Sequence, residues 1–152
     1  MDFGNPRSTA KLMGHPIHPM LVPFPIAFLI GTLLSDLAYW ETHDVFWATA
    51  SAYLLGAALV FAALAALAGF TDFFGDRRVR ALGTAWRHMI GNLTAVVLSL
   101  INFVMRLGNV EEAILPNGLV LSAIVGLILV YTGWQGGELV FRHRVGIPDE
   151  RA

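Results

Sequence analysis

The sequence has no cysteine and few charges, and each shortage excludes a class of protein. Without cysteine the chain can form no disulfide framework, no thiolate zinc site and no iron–sulfur cluster of its own. Charged residues make up only 14%, whereas soluble domains carry roughly 25%. The formal net charge is −1, which argues against nucleic acid as a partner and against a highly charged disordered tail. A Gly-rich phosphate loop, a nucleophile elbow and a metalloprotease helix motif are also missing, so nothing points to catalysis by the chain alone. What is abundant is apolar: 56% hydrophobic residues and a mean hydropathy of +0.63. At 152 residues this reads as one integral membrane domain spanning residues 1–152.

Four stretches lack Asp, Glu, Lys, Arg and His: Pro19–Ser35, Val45–Thr71, Met89–Met105 and Ala113–Gly137. A bilayer core needs about 20 apolar residues in a helix, with about 17–25 as the usual range. The first stretch reaches this length by running past Asp36 to the interfacial pair Tyr39–Trp40. The third is extended by Arg87 and Arg106, whose long stems are expected to carry their charges outward. The expected fold is all-α, a four-helix membrane bundle with helices near 19–40, 46–73, 87–107 and 116–141. Pro19, Pro23 and Pro25 open the first run and no small-x-small site follows it, so it reads as a retained helix rather than a cleaved signal.

Nine cationic residues fall on one side of this topology: Arg7, Lys11, Arg77, Arg78, Arg80, Arg87, Arg142, Arg144 and Arg151. Only Arg106 falls on the other. By the positive-inside rule both termini are expected in the cytoplasm, and the protein in a bacterial inner membrane.

The helices carry polar stripes. His88, Asn92, Ser99, Asn102 and Arg106 lie within an arc of about 80° at 100° per residue. Tyr131, Gln135, Glu138 and Arg142 form a second stripe, and His18 and Asp36 share a face five turns apart. Such stripes turn inward because hydrocarbon offers no hydrogen-bond partners. They could simply bind the helices together, or they could line a site. Glu138 is expected either to pair with Arg142 at i+4 or to orient an imidazole.

The segment Gly14-His15-Pro16-Ile17-His18-Pro19-Met20 is the most specific feature. Proline pushes each preceding histidine toward extended backbone, so His18 is expected as a cap with Pro19 at the first helical position. Four of the five histidines (His15, His18, His88 and His143) gather at the cytoplasmic end, leaving His43 in the opposite loop. Imidazole suits a metal or an axial position on haem iron. His18 and His88 are the expected facing pair, for a metal or for haem b or quinone, with His15, Asn92 and Glu138 assisting.

On these residues the chain resembles the family of bacterial membrane proteins catalogued as domain of unknown function 2231, from Gly14 to about Ile147. The resemblance rests on Gly14–Val22, Phe24-Pro25-Ile26, Asp36, Ala68-Gly69-Phe70-Thr71-Asp72, His88 with Asn92, Gly136-Gly137-Glu138-Leu139-Val140 and Val145-Gly146-Ile147. Arg144 stands where the family usually has glycine. The resemblance implies a four-helix membrane domain. Related domains joined to Rieske-type proteins or lying beside membrane dehydrogenases imply electron transfer with a partner protein.

Three readings stay open. One is a redox membrane subunit. A second is a structural or anchoring subunit, in which the ridge Ala58, Ala62 and Ala66 could support a homo-oligomer. The third is a proton or small-solute transporter, disfavoured because the sequence shows no internal repeat.

Overall fold

The computed structural model describes residues 4–148. Arg151, counted in the charge asymmetry, lies outside them. The chain begins as a strap that ends in a two-stranded hairpin, β1 (Lys11–Leu12) and β2 (His15–Pro16). Met13 and Gly14 turn it at φ 49° and 84°. Helices α1 (Ile17–Leu21) and α2 (Pro23–Thr42) follow, separated only by Val22 in helical conformation. Next come α3 (Val45–Gly75), the short α4 (Arg77–Arg80), α5 (Gly83–Arg106), α6 (Val110–Ala113) and α7 (Leu119–Gly137). A widened π-type turn enters α7 over Ile114–Gly118 and another leaves it over Glu138–Arg142. The first is kinked at Leu115, the residue before Pro116, where proline disfavours the helical region.

Local chemistry sets these boundaries. Asp44 caps α3 by accepting from the Phe46 N–H (2.9 Å), and Asn109 caps α6 by accepting from the Glu111 and Glu112 N–H groups. His43 ends α2 in the left-handed region, its N–H bonded to the Tyr39 carbonyl (2.8 Å). Four segments are long and apolar enough to cross a membrane: Ile17–Thr42, Val45–Gly75, Gly83–Arg106 and Val110–Arg142. Each begins or ends a few residues beyond the apolar run, because the charge-bearing ends continue the same helix. One correction concerns the start: His18 is not a cap but lies inside α1, whose cap is Pro16.

The long helices close a ring in which α2 packs on α3, α3 on α5, α5 on α7 and α7 on α2. That places α2 opposite α5. Leu29, Leu55, Ala58, Ala95 and Val125 form the apolar middle layer, while Leu34, Val60, Leu64, Val97, Leu127 and Val130 face outward. The outward set is what a lipid-facing surface requires, since hydrocarbon replaces water as the solvent.

The two hairpins repeat one another, contrary to the sequence expectation. Buried Pro25, Leu29, Thr32 and Asp36 of α2 stand 70 residues before buried Ala95, Ser99, Asn102 and Arg106 of α5. Ser51, Leu55, Ala58 and Ala65 of α3 stand 67 residues before buried Gly118, Ser122, Val125 and Thr132. Burial repeats where residue identity does not.

The first and last described residues meet at one end of the bundle. There the Asp72 carboxylate accepts from the Ser8 hydroxyl (2.9 Å) and the Thr9 and Ala10 N–H groups (2.6 and 2.8 Å), tying the strap to α3. The Gly146 N–H donates to the Pro6 carbonyl (2.9 Å), joining the two ends of the chain.

Candidate functional site

His18 and His88 occupy equivalent places in the two halves and meet across the diagonal, their ring centres 6.2 Å apart and their planes at 87°. Each ring is held in the same way. His18 Nδ1 lies 2.8 Å from the Ala65 carbonyl on α3, and His88 Nδ1 lies 2.9 Å from the Thr132 carbonyl on α7. A carbonyl oxygen can only accept, so each Nδ1 carries a proton, and it is Nε2 that bears the lone pair whenever the ring is neutral. Neither Nε2 has a hydrogen-bond partner among the described residues.

Glycine makes both seats possible. Four residues after Ala65, a Cβ on Gly69 would lie 3.0 Å from both Cε1 and Nδ1 of His18. Four residues after Thr132, a Cβ on Gly136 would lie 3.1 Å from Cε1 of His88. A Cβ at either place would require the ring to give by a few tenths of an ångström.

The other expected members are placed differently. Asn92 lies one turn below His88, where it donates to the His88 carbonyl (2.8 Å) and accepts from the Thr132 hydroxyl (3.2 Å). It steadies the α5–α7 contact behind the ring. His15 stays outside: it is exposed on the hairpin, its Nδ1 3.1 Å from the Met13 carbonyl. The hairpin turn carries it away from His18, which has itself wound into helix. Glu138 does not orient an imidazole. Its carboxylate pairs with Arg142 (3.1 Å) one turn on, and backbone carbonyls take the role expected of it. No group of three or more His, Cys, Asp or Glu side chains able to hold a metal ion occurs among the described residues.

At the far end of the bundle a polar network occupies positions equivalent to the histidines but five turns on. Arg106 is buried rather than extended outward, and it grips Asp36 with two bonds of 2.8 Å. Ser51 donates to the same carboxylate, as does Ser122 (2.6 Å), and Arg106 also donates to Ser51 and to Asn102 Oδ1 (3.1 Å). Asn102 donates in turn to the Gly118 carbonyl (3.1 Å) and to Ser122 (3.0 Å). The expectation of an outward-reaching arginine failed because Asp36, inside the neighbouring half, offers a full charge and fork geometry. The signal was present in the sequence: Asp36 and Arg106 each follow a histidine by 18 residues, on the same face. Between the two ends, Ser99 alone among the described residues has a buried side-chain oxygen with no partner.

Outside the membrane-length segments, Asp76 caps α4 and pairs with Arg78 (2.9 Å). The bonds from the Arg78 side chain, aided by the Arg7 and Arg78 N–H groups, hold its carboxyl well below the usual carboxylate range against the opposing effect of burial.

No match was found among curated proteins or among solved structures. A family model described as a predicted membrane protein matches residues 14–149, so the chain, with its four membrane-length helices, belongs to the DUF2231 family.

Proposed function

We propose that this protein is a small redox-associated subunit of the bacterial inner membrane, holding the iron of a b-type haem between His18 and His88 near the cytoplasmic face. The carrying observation is the matched seating of two adjacent rings: both Nδ1–H groups are engaged by backbone carbonyls, which leaves Nε2 of each without a partner among the described residues. Engaging the far nitrogen in this way fixes ring orientation and raises ligand basicity. With ring centres 6.2 Å apart, His18 and His88 would both be within reach of one iron.

The donor set also discriminates among occupants. A bare zinc ion asks for three or four protein ligands, and among the described residues no group of three His, Cys, Asp or Glu side chains could hold one. Haem iron asks the protein only for axial ligands, and when bound it would supply one-electron chemistry. A quinone would present carbonyl oxygens that need donors, whereas a metal takes the Nε2 lone pair of the neutral ring. Orientation with this end toward the cytoplasm follows from the nine-to-one cationic asymmetry. Electron transfer in this reading would run to a partner protein.

The opposing reading is that the rings, already in edge contact, only fasten the bundle. The visible spectrum of the purified full-length protein in detergent, with and without dithionite and after addition of haem, separates the two. A reduced-minus-oxidised haem signal that is lost in His18→Ala and in His88→Ala but kept in His43→Ala supports the redox reading. Failure to take up haem, with His18→Ala changing only stability, leaves the structural one.

A further inference from the structure

One cluster at the same end is not accounted for by the histidine pair. Thr84 lies one turn before His88 on α5, so it shares that ring's face one turn nearer the chain ends. It is buried, and its hydroxyl joins two cationic-type side chains: Arg87 Nη2 at 3.3 Å and His143 Nε2 at 3.4 Å. Arginine can only donate, so Thr84 accepts from Arg87, and its contact with His143 Nε2 runs as donor or acceptor according to the tautomer of that ring. The remaining N–H groups of Arg87 are donors, and where Thr84 donates to Nε2 the neutral His143 ring carries its proton on Nδ1. Arg87 has no carboxylate partner among the described residues, whereas Arg78, Arg106 and Arg142 pair with Asp76, Asp36 and Glu138. The first turn of α5 adds to the positive character, for its cap residue Leu82 provides no side-chain acceptor.

We infer that Arg87 and His143, ordered by the Thr84 hydroxyl, form a receptor for the carboxylate-bearing edge of the group that His18 and His88 hold. The inference rests on the haem reading above. A haem has an apolar body, which suits the membrane interior, and two carboxylates on one edge that need donors at the water-facing side. Among the described residues, Arg87 and His143 are donors that no carboxylate takes, joined through Thr84 one turn from His88. The shared chemistry, an anion needing charge-assisted donors, could also come from a lipid phosphate.

Haem and its dimethyl ester, which lacks the anionic edge, are titrated into the detergent-solubilised full-length protein while the Soret band is followed. Wild type is expected to bind the free acid about tenfold more tightly than the ester, the size of one charge-assisted bond. Arg87→Leu should abolish that preference, Arg87→Lys should retain most of it, and His143→Phe should reduce it. Each should still bind the ester as wild type does. Equal binding of acid and ester by wild type overturns the receptor while leaving the histidine pair intact. A preference erased by added phosphatidylglycerol overturns it in favour of a lipid headgroup site. Binding that survives His18→Ala and His88→Ala unchanged, or no uptake of either compound, overturns both.

Discussion

Removal of the Arg106 side chain tests the reading of the far-end network most directly. The Asp36 carboxylate is fully buried and receives two bonds from Arg106 and one each from Ser51 and Ser122. Arg106→Met leaves the hydroxyl donors but removes the counter-charge, stranding a carboxylate among four apolar helices. Breaking a buried pair from one side costs about 3–5 kcal/mol, equivalent to roughly a hundredfold to a few thousandfold in the folded-to-unfolded ratio. The internal control is Arg142→Met, which removes a surface i,i+4 pair with Glu138 whose side chains are 75% and 30% exposed. That pair is worth only about 0.3–0.5 kcal/mol. Unfolding in mixed micelles titrated with denaturing detergent, followed by circular dichroism, measures both. The double variant Asp36→Leu/Arg106→Met should lose less than the sum of its single variants by more than about 1 kcal/mol, because contacting residues couple. An Arg106→Met loss no larger than that of Arg142→Met, or an additive double variant, would refute the buried-pair reasoning.

Two further outcomes follow from local geometry. Gly136→Ala places a methyl 3.1 Å from the His88 ring, and Gly69→Ala places one 3.0 Å from that of His18. Each should destabilise by about 1–3 kcal/mol through overpacking and weaken haem uptake. Gly133→Ala, with nothing within 4 Å of the added carbon, should instead stabilise by up to about 1 kcal/mol; the opposite ranking in thermal melts would show the glycines are not there for the rings. At the chain-terminal end, the Asp76 carboxyl titrates lower in the folded protein than in the unfolded chain. Its stabilisation is therefore fully present above the ordinary carboxylate pKa of about 3.9 and is lost as pH falls below it toward the folded value. Asp76→Asn should flatten the acid limb of a stability-against-pH curve below about pH 4, and an unchanged limb would show the pairing contributes nothing.

The amino-acid sequence alone determined the membrane class, the four spans and the inward face of α5, whereas the expected inward stripe of Tyr131, Gln135, Glu138 and Arg142 is overturned: Tyr131 and Arg142 are exposed, and α7 buries Ser122, Val125 and Thr132 instead. Those properties are local: an apolar run either reaches the length of a bilayer core or does not, and a polar side chain at helical spacing must avoid lipid wherever its partner lies. His88, Asn92, Ser99, Asn102 and Arg106 were therefore recognisable as one stripe before any partner was known. The partners were decided only by tertiary structure. His18 and His88 are fixed by the carbonyls of Ala65 and Thr132, and every residue has a carbonyl, so no side-chain pattern marks those two. The repeat was hidden for a related reason: packing across the axis conserves where a residue is buried, while Leu29 and Ser99, or Ala65 and Thr132, differ in chemistry. Arg106 was placed outside because a long stem permits it, and the closed ring overruled that by bringing Asp36 across the diagonal within 2.8 Å. Local periodicity sets which way a group faces. What it meets there lies 44 residues away for His88, 47 for His18 and 70 for Arg106, and only the folded bundle brings them together.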